Sequence, residues 1–115
     1  MPELPEVEVT RRGLLPDLRG RQIAAVVARH TALRYPLPRH LDCLLAGQTL
    51  RDIDRRGKYL LFRFGQDTLL VHLGMSGSLR LVPAAEPPGR HDHLDLVFGD
   101  KALRLRDPRR FGAVL

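Results

Sequence analysis

Short runs of apolar residues alternate with polar ones along most of the chain, and this pattern predicts a structure made mainly of β-strands. Turn residues separate the runs, for example at Gly65–Asp67 and Gly99–Asp100. Short strands joined by tight turns are typical of a β-sandwich or a β-barrel. The predicted strands are Ile23–Arg29, Thr49–Asp54, Tyr59–Phe64, Leu69–Leu73, Ser78–Val82, Leu94–Phe98 and Leu103–Arg106.

The N-terminal residues follow a helical pattern instead. Their apolar residues recur on one helical face, and acidic residues precede basic ones, as the helix dipole favours. Pro5 suits a first turn, so we predict a helix from about Pro5 to Leu15, limited by Pro16. A second short helix is predicted over Leu41–Ala46, ending at Gly47.

Two proline-containing segments, Leu33–His40 and Pro83–Arg90, are predicted to be loops or irregular strands. We find neither an internal repeat nor a linker, so residues 1–115 are expected to form one domain. The fold class that these patterns predict is mainly β with flanking helices, an α+β arrangement.

Composition and charge limit the class of protein and the class of partner. With 43% hydrophobic and 28% charged residues the chain is a globular protein, and its net charge of +6 favours nucleic acid as partner, ahead of an anionic membrane surface. The apolar run Ile23–Ala28 is far shorter than the ~20 residues that a membrane span needs. The N-terminus is acidic where a signal peptide would be basic, so we expect a soluble, cytoplasmic protein. We also expect it to be a monomer and not to bind membranes.

Cysteine usage excludes two further classes. Cys43 is the single cysteine of the chain, so neither an internal disulfide nor a cysteine-built zinc site can form within it. We expect no cofactor in this chain.

Lys58 stands out because all but two of the nineteen Lys and Arg residues are Arg. It lies in Arg55-Arg56-Gly57-Lys58-Tyr59, just before a strongly apolar strand. It is either a solvated strand end, the usual position of lysine, or an amine that contacts phosphates or transfers protons.

Pro2 offers a second candidate, since a small residue after Met1 generally permits removal of the initiator methionine. The exposed secondary amine would have an ordinary α-amino pKa near ~8, low enough to attack a sugar aldehyde and form an iminium. Glu3 and Glu6 are close enough in sequence to move protons. The alternative is that all three are ordinary residues of a helix start.

Three further segments carry polar or exposed candidates. His91-Asp92-His93 resembles a metal pair, but a metal needs at least three ligands, and His91 beside Arg90 fits a phosphate contact better. Met75, between two glycines, is either folded into the core or an exposed wedge of the kind that enters DNA stacks. Arg109 and Phe111, in the turn 107–112, fit nucleic-acid binding better than core packing.

Taken together, these motifs closely resemble the N-terminal domain of bacterial formamidopyrimidine-DNA glycosylases, in the same order and over essentially the whole chain. The resemblance rests on Pro2-Glu3-Leu4-Pro5-Glu6-Val7-Glu8, Arg55-Arg56-Gly57-Lys58-Tyr59-Leu60, His72-Leu73-Gly74-Met75-Ser76-Gly77-Ser78-Leu79, His91-Asp92-His93 and Asp107-Pro108-Arg109-Arg110-Phe111-Gly112. It implies a two-layer antiparallel β-sandwich with flanking helices. It also implies excision of oxidised purines, chiefly 8-oxoguanine and formamidopyrimidines, from double-stranded DNA, followed by β-elimination at the abasic site.

The resemblance assigns roles to the candidate residues. Pro2 would be the Schiff-base nucleophile, Glu3 the proton donor of the glycosylase step, Glu6 a supporting carboxylate and Lys58 the proton donor for β-elimination. His72, His91 and Arg109 would bind DNA, and Met75, Arg109 and Phe111 would fill the gap left by the flipped nucleotide.

The chain departs from the family in one respect. Family members continue into a helix–two-turn–helix segment and a zinc finger, and the DNA cleft lies between the two parts. The finger cysteines are absent from these 115 residues, which we therefore expect to form the N-terminal catalytic domain alone. The alternatives are an endonuclease VIII-like glycosylase for oxidised pyrimidines and a non-catalytic basic DNA-binding domain.

Overall fold

Eight strands and two helices make up the chain in the computed structural model, which describes residues 4–29, 40–73, 77–106 and 113–114. The helices are α1 (Leu4–Leu18) and α2 (Leu41–Leu45). The strands are β1 (Ala25–Ala28), β2 (Asp52–Arg56), β3 (Tyr59–Arg63), β4 (Thr68–His72), β5 (Ser78–Pro83), β6 (Asp92–Phe98), β7 (Lys101–Arg106) and β8 (Ala113–Val114). The prediction of a mainly β chain with two helices is confirmed.

The strands form two antiparallel sheets of four strands each. The first sheet has the order β1-β6-β7-β5, and the second has the order β2-β3-β4-β8. Among the described strands the chain passes between the sheets three times, from β1 through α2 to β2, from β4 to β5 and from β7 to β8. The two layers that the resemblance implies are therefore present.

Leucine-rich faces of the two sheets pack against each other. Residues directly opposite on antiparallel strands share a face, and the first sheet aligns Leu79 with Leu105, which in turn pairs with Leu94. The second sheet contributes Phe62 and Val71, which lie with these leucines around a space of only about 10 Å³. The apolar alternation in the sequence is thus the inner lining of a sandwich, and the barrel alternative is wrong.

Helix α1 covers one side of the second sheet and is longer than predicted. Its buried residues include Val7, Leu14 and Leu18, of which Leu18 is fully buried. Burial of Leu18 favours continuing the helix past Pro16, whose missing N–H costs one hydrogen bond close to the helix end. The chain turns away only at Gly20, where φ is +84°.

The predicted strand Ile23–Arg29 pairs with two different parts of the chain. Ile23 donates to the carbonyl of Gln48 and accepts from Gly47, so this part of the chain pairs with the segment after α2. Only Ala25–Ala28 joins the first sheet. Alternation alone could not reveal the change of partner, because both parts are extended. The short strand β8 was not predicted.

No helix among the described ranges is long and apolar enough to cross a membrane.

The buried leucines should dominate the stability of this fold. Leu103→Ala removes a side chain that is 2% exposed, and should lower the free energy of unfolding by about 2–5 kcal/mol. The same change at Leu44, which is 51% exposed on α2, should cost less than about 0.5 kcal/mol. Urea unfolding followed by circular dichroism measures both. Equal losses at the two positions would contradict the sandwich core.

Candidate functional site

One end of the sandwich collects the strand ends that border most of the candidate residues. At this end, β2 stops at Arg56, β4 stops at His72 and β6 begins at Asp92. Ser78, Asp92 and Arg106 meet there across the first sheet. Leu73 accepts a hydrogen bond from Gly77, which brings the ends of β4 and β5 together. The turn 57–58 and the described residues that flank segments 74–76 and 107–112 lie at this end, which we call the motif end.

Lys58 lies in the two-residue turn between β2 and β3. Gly57 takes the first turn position with φ of +61°, a conformation that hairpins of this length require and that glycine adopts without strain. The Lys58 residue is half-buried. The turn fixes its backbone at the motif end.

His72 lies close to this turn through its pairing with Tyr59. The two residues are directly opposite on β3 and β4, and their ring centroids are 5.0 Å apart at a tilt of 59°. Arg56 is opposite Tyr59 on β2, so Arg56, Tyr59 and His72 form a row on one face of the second sheet. The structure therefore brings Lys58 and His72 to neighbouring backbone positions.

Helix α1 points its N-terminus toward the same end. Near its C-terminal end Arg19 donates to Asp52 at the start of β2, whereas Glu8 near its N-terminal end accepts from Arg55 at the other end of that strand. Arg55 also donates to the carbonyl of Gly57 at 3.1 Å. A continuous set of hydrogen bonds thus links α1 to the turn that carries Lys58.

Glu8 is the centre of an arginine cluster. Its carboxylate accepts from Arg11 at 2.7 and 3.0 Å, from Arg12 at 2.8 Å and from Arg55 at 3.0 Å. These hydrogen bonds, from Arg11 above all, hold the pKa of the Glu8 carboxyl well below its usual range. Arg11 further donates to the carbonyl of Ile53, so the cluster also fixes α1 against β2.

A positively charged groove of about 460 Å³ lies beside this cluster. Its charged lining consists of four arginines and two carboxylates: Arg11, Arg55, Arg56, Arg63, Glu8 and Asp54. Asp54 is paired with Arg63. The groove extends from Arg56, beside the Lys58 turn, to Arg63 near the opposite strand ends, and its net positive charge favours a polyanion along this side of the molecule.

His91 lies at the first sheet's side of the motif end, immediately before β6, and is half-buried like Lys58. His93, by contrast, is 1% exposed, and the register of β6 shifts between Asp92 and Leu94. The described ranges contain no group of three or more potential metal ligands. The geometry leaves His91, and not His93, accessible to a phosphate.

Several candidates fall outside the described residues: Pro2, Glu3, Met75, Arg109 and Phe111. For Glu6, only its place in the first turns of α1 is described. The flanks of the Met75 segment are described, and a Cβ at Gly77 would lie 2.2 Å from the Leu73 carbonyl oxygen. Glycine is therefore required at that position for the close turn.

The sequence interpretation missed the roles of Glu8 and Arg55. Helical spacing could have paired Glu8 with Arg11 and Arg12, because residues three and four apart are neighbours on a helix. The contact with Arg55, forty-seven positions away, leaves no local signal in a single sequence.

Comparison with known proteins gives a consistent result. Residues 1–114 match the family model of the formamidopyrimidine-DNA glycosylase N-terminal domain. The chain is 64% identical over 116 residues to the formamidopyrimidine-DNA glycosylase of Thiobacillus denitrificans, covering 100% of this chain and 43% of that protein. It is 60% identical over 115 residues to the enzyme of Herminiimonas arsenicoxydans, covering 100% of this chain and 42% of that protein. The chain thus spans less than half the length of these relatives.

Solved structures show the same similarity. Lactococcus lactis formamidopyrimidine-DNA glycosylase bound non-covalently to DNA containing an AP site superposes with a TM-score of 0.91 at 39% identity, covering 98% of this chain and 44% of that one. The same Lactococcus lactis protein with DNA containing FAPY-dG gives a TM-score of 0.90 at 39% identity, covering 97% and 43%.

The Glu8 cluster should make stability depend on pH. Because the folded-state pKa of Glu8 is lowered, its contribution is fully present above the unfolded value of 4.5 and is lost as the pH falls toward the folded value. Glu8→Gln should therefore lower the urea midpoint clearly at pH 7 and less at pH 3. The control is Asp17→Asn, an exposed acid on the same helix, which should change neither midpoint. An equal effect of Glu8→Gln at both pH values would contradict the cluster.

Proposed function

Because the chain belongs to the formamidopyrimidine-DNA glycosylase family, we propose that it is the N-terminal catalytic domain of a base-excision repair enzyme. The enzyme would remove oxidised purines from double-stranded DNA and cleave the strand at the resulting abasic site. The observation that carries the proposal is the motif end, where the strand ends that border Lys58, His72 and His91 lie together and where an arginine-lined groove begins at Arg56. Its place of action would be the bacterial cytoplasm, where the chromosome lies.

The chemistry would start at Pro2, two residues before α1 begins. Once Met1 is removed, the secondary amine attacks the sugar C1′, and the damaged base leaves with a proton from Glu3. The C1′–O4′ bond then opens, the proton of the former amine goes to O4′, and an iminium between Pro2 and C1′ joins protein and DNA. Glu6 would support this acidic start. The orientation of α1 supports the proposal, because the helix directs its N-terminal end toward the Lys58 turn.

Lys58 would act in the second step. β-Elimination moves the sugar 2′ proton to a base and releases the 3′ phosphate, and an ammonium beside that phosphate would assist its departure. The half-buried position of Lys58 in a two-residue turn suits a role at one phosphate. His72 and His91, on either side of the motif end, would hold neighbouring phosphates.

The remaining candidates would act on the base stack. A base inside a duplex must leave the stack before its glycosidic bond is accessible, and side chains then occupy the gap. We assign this role to Met75, Arg109 and Phe111. The support is that the described flanks of their segments, Leu73–Gly77 and Arg106–Ala113, lie at the motif end.

Neither alternative is favoured. The relatives compared above carry the name of the purine enzyme, which gives no support to an endonuclease VIII-like specificity. A binding module without catalysis would not require a free Pro2 amine, so the covalent step separates it from the enzyme.

That step can be tested by reduction with borohydride. Hydride addition converts the iminium into a stable protein–DNA adduct, which we expect on abasic duplex when Pro2 is the N-terminal residue and not when Met1 is retained. Trapping should be faint for the 115-residue chain and strong for a full-length family member, and Pro2→Gly should keep part of it. Gel electrophoresis of the adduct gives the measurement. Undiminished trapping with Met1 retained would move the nucleophile to a lysine, first of all Lys58.

DNA binding should depend on the positive charge of Lys58 at the motif end more than on the charge of a lysine at the opposite end. Lys58→Ala should weaken binding to an abasic duplex and reduce the slope of log K against log salt by about one. The control is Lys101→Ala, which removes the chain's other lysine at the opposite end of the first sheet. Fluorescence anisotropy at several salt concentrations measures both. Equal losses for the two lysines would contradict a DNA site at the motif end.

A further inference from the structure

Arg104 is the largest fully buried side chain of the described residues, although arginine is rarely buried. It lies on β7 opposite Asp95 of β6 and opposite Arg80 of β5, so all three residues point to the outer face of the first sheet. Arg80 is exposed there, whereas Arg104 is 1% exposed. Something must cover the part of the face that Arg104 occupies.

The cover is the loop between β5 and β6, residues 84–91. Arg104 Nη2 donates to the carbonyl of Glu86 at 2.9 Å, and Nη1 donates to the carbonyl of Pro87 at 3.3 Å. Nε and Nη2 bind the two oxygens of Asp95 at 3.0 Å each. One guanidinium therefore joins the sheet to the loop through four of its five N–H donors.

A second arginine, Arg29, helps to keep Asp95 ionised beside Arg104. Arg29 donates to Asp95 Oδ2 at 2.7 Å. Burial alone would raise the pKa of Asp95, but the hydrogen bonds from Arg29 and Arg104 outweigh burial and lower it. The hydrogen bond with Asp95 raises the pKa of Arg104. Both charges stay fixed at neutral pH, so the donors of Arg104 remain directed at the loop.

The far end of the loop is held as well. The backbone N–H of Gly89 donates to Asp92 Oδ2 at 2.6 Å, and the backbone N–H of Asp92 donates to the Gly89 carbonyl at 3.3 Å. Only Arg90 and His91 lie between this attachment and β6. The loop path from Glu86 to His91 is thus determined by two side chains of the sheet.

We infer that Arg104 is a positioning residue for DNA binding, which holds the 84–91 loop so that His91 meets a phosphate. This inference rests on the proposed function, since it assigns His91 to DNA. Arg104 itself is buried and touches no nucleic acid. It acts through the carbonyls of Glu86 and Pro87, and the chain needs arginine there because a lysine ammonium cannot bind Asp95 in two places and both carbonyls at once.

A double-mutant cycle tests the inference on the 115-residue chain. The variants are Arg104→Lys, His91→Ala and both together, with Arg80→Lys as the matched control on the same face. The probe is a fluorescent duplex containing a tetrahydrofuran abasic analogue, titrated at low salt. Each single change should weaken binding by about tenfold, the scale of one charge-assisted hydrogen bond. The double change should be no worse than either single change, and Arg80→Lys should bind as tightly as the unmodified chain.

The outcomes separate the two proposals. If the unmodified chain shows no salt-dependent binding, the proposed function fails, and this inference fails with it. If His91→Ala weakens binding but Arg104→Lys, folded by circular dichroism, binds normally, only the positioning role is wrong. Full additivity of the two losses would likewise overturn it, because independent structural damage adds whereas action through His91 does not.

If Arg104→Lys does not fold, the variant Pro88→Gly tests whether the position of the loop controls DNA binding. Pro88 is exposed in the loop and its replacement by glycine frees the backbone without touching the sheet. Pro88→Gly should weaken binding in the unmodified background and have no further effect beside His91→Ala. Unchanged affinity for Pro88→Gly would overturn the inference.

Discussion

The packing of the two leucine-rich sheet faces determines where everything else in this molecule can lie. Once Leu94, Leu103 and Leu105 of the first sheet face Phe62 and Val71 of the second, charged residues must occupy outer faces, edges or turns. Antiparallel pairing then sends the connections to the two ends of the strands. A function built on several separate sequence motifs becomes possible because connections far apart in the chain meet at one of those ends.

The orientation of α1 needs a polar contact in addition to the apolar one. Val7, Leu14 and Leu18 bury the helix, but apolar contacts tolerate sliding, whereas hydrogen bonds have narrow geometry. The bond from Arg55 to Glu8 joins α1 to the end of β2, and the bonds from Arg11 to Ile53 and from Arg19 to Asp52 fix the helix along the same strand. Because Arg55 also binds the Gly57 carbonyl, it connects the helix directly to the Lys58 turn.

The sequence predicted the elements of this fold better than their partners. Alternation identified most strands of both sheets because every second residue of a strand faces the sandwich core, and the Gly99–Asp100 turn was recognisable from its residue types. What alternation could not show was which strand an extended segment pairs with, as at Ile23. The same limit applies to the site: Lys58 and His72 were recognised by motif, but their proximity through Tyr59 follows from the register of β3 and β4.

Buried charge was the feature least accessible from sequence. Asp95 and Arg104 occupy positions in alternating strands that read as solvent-facing, and they do point away from the sandwich core. They are buried because the loop 84–91, with prolines at 87 and 88, folds over them. Proline lacks an N–H, so this loop has fewer donors than carbonyls, and the carbonyls of Glu86 and Pro87 need a donor from elsewhere. A guanidinium anchored by a carboxylate supplies that donor, which explains why a charged pair lies buried where a sheet would ordinarily face water.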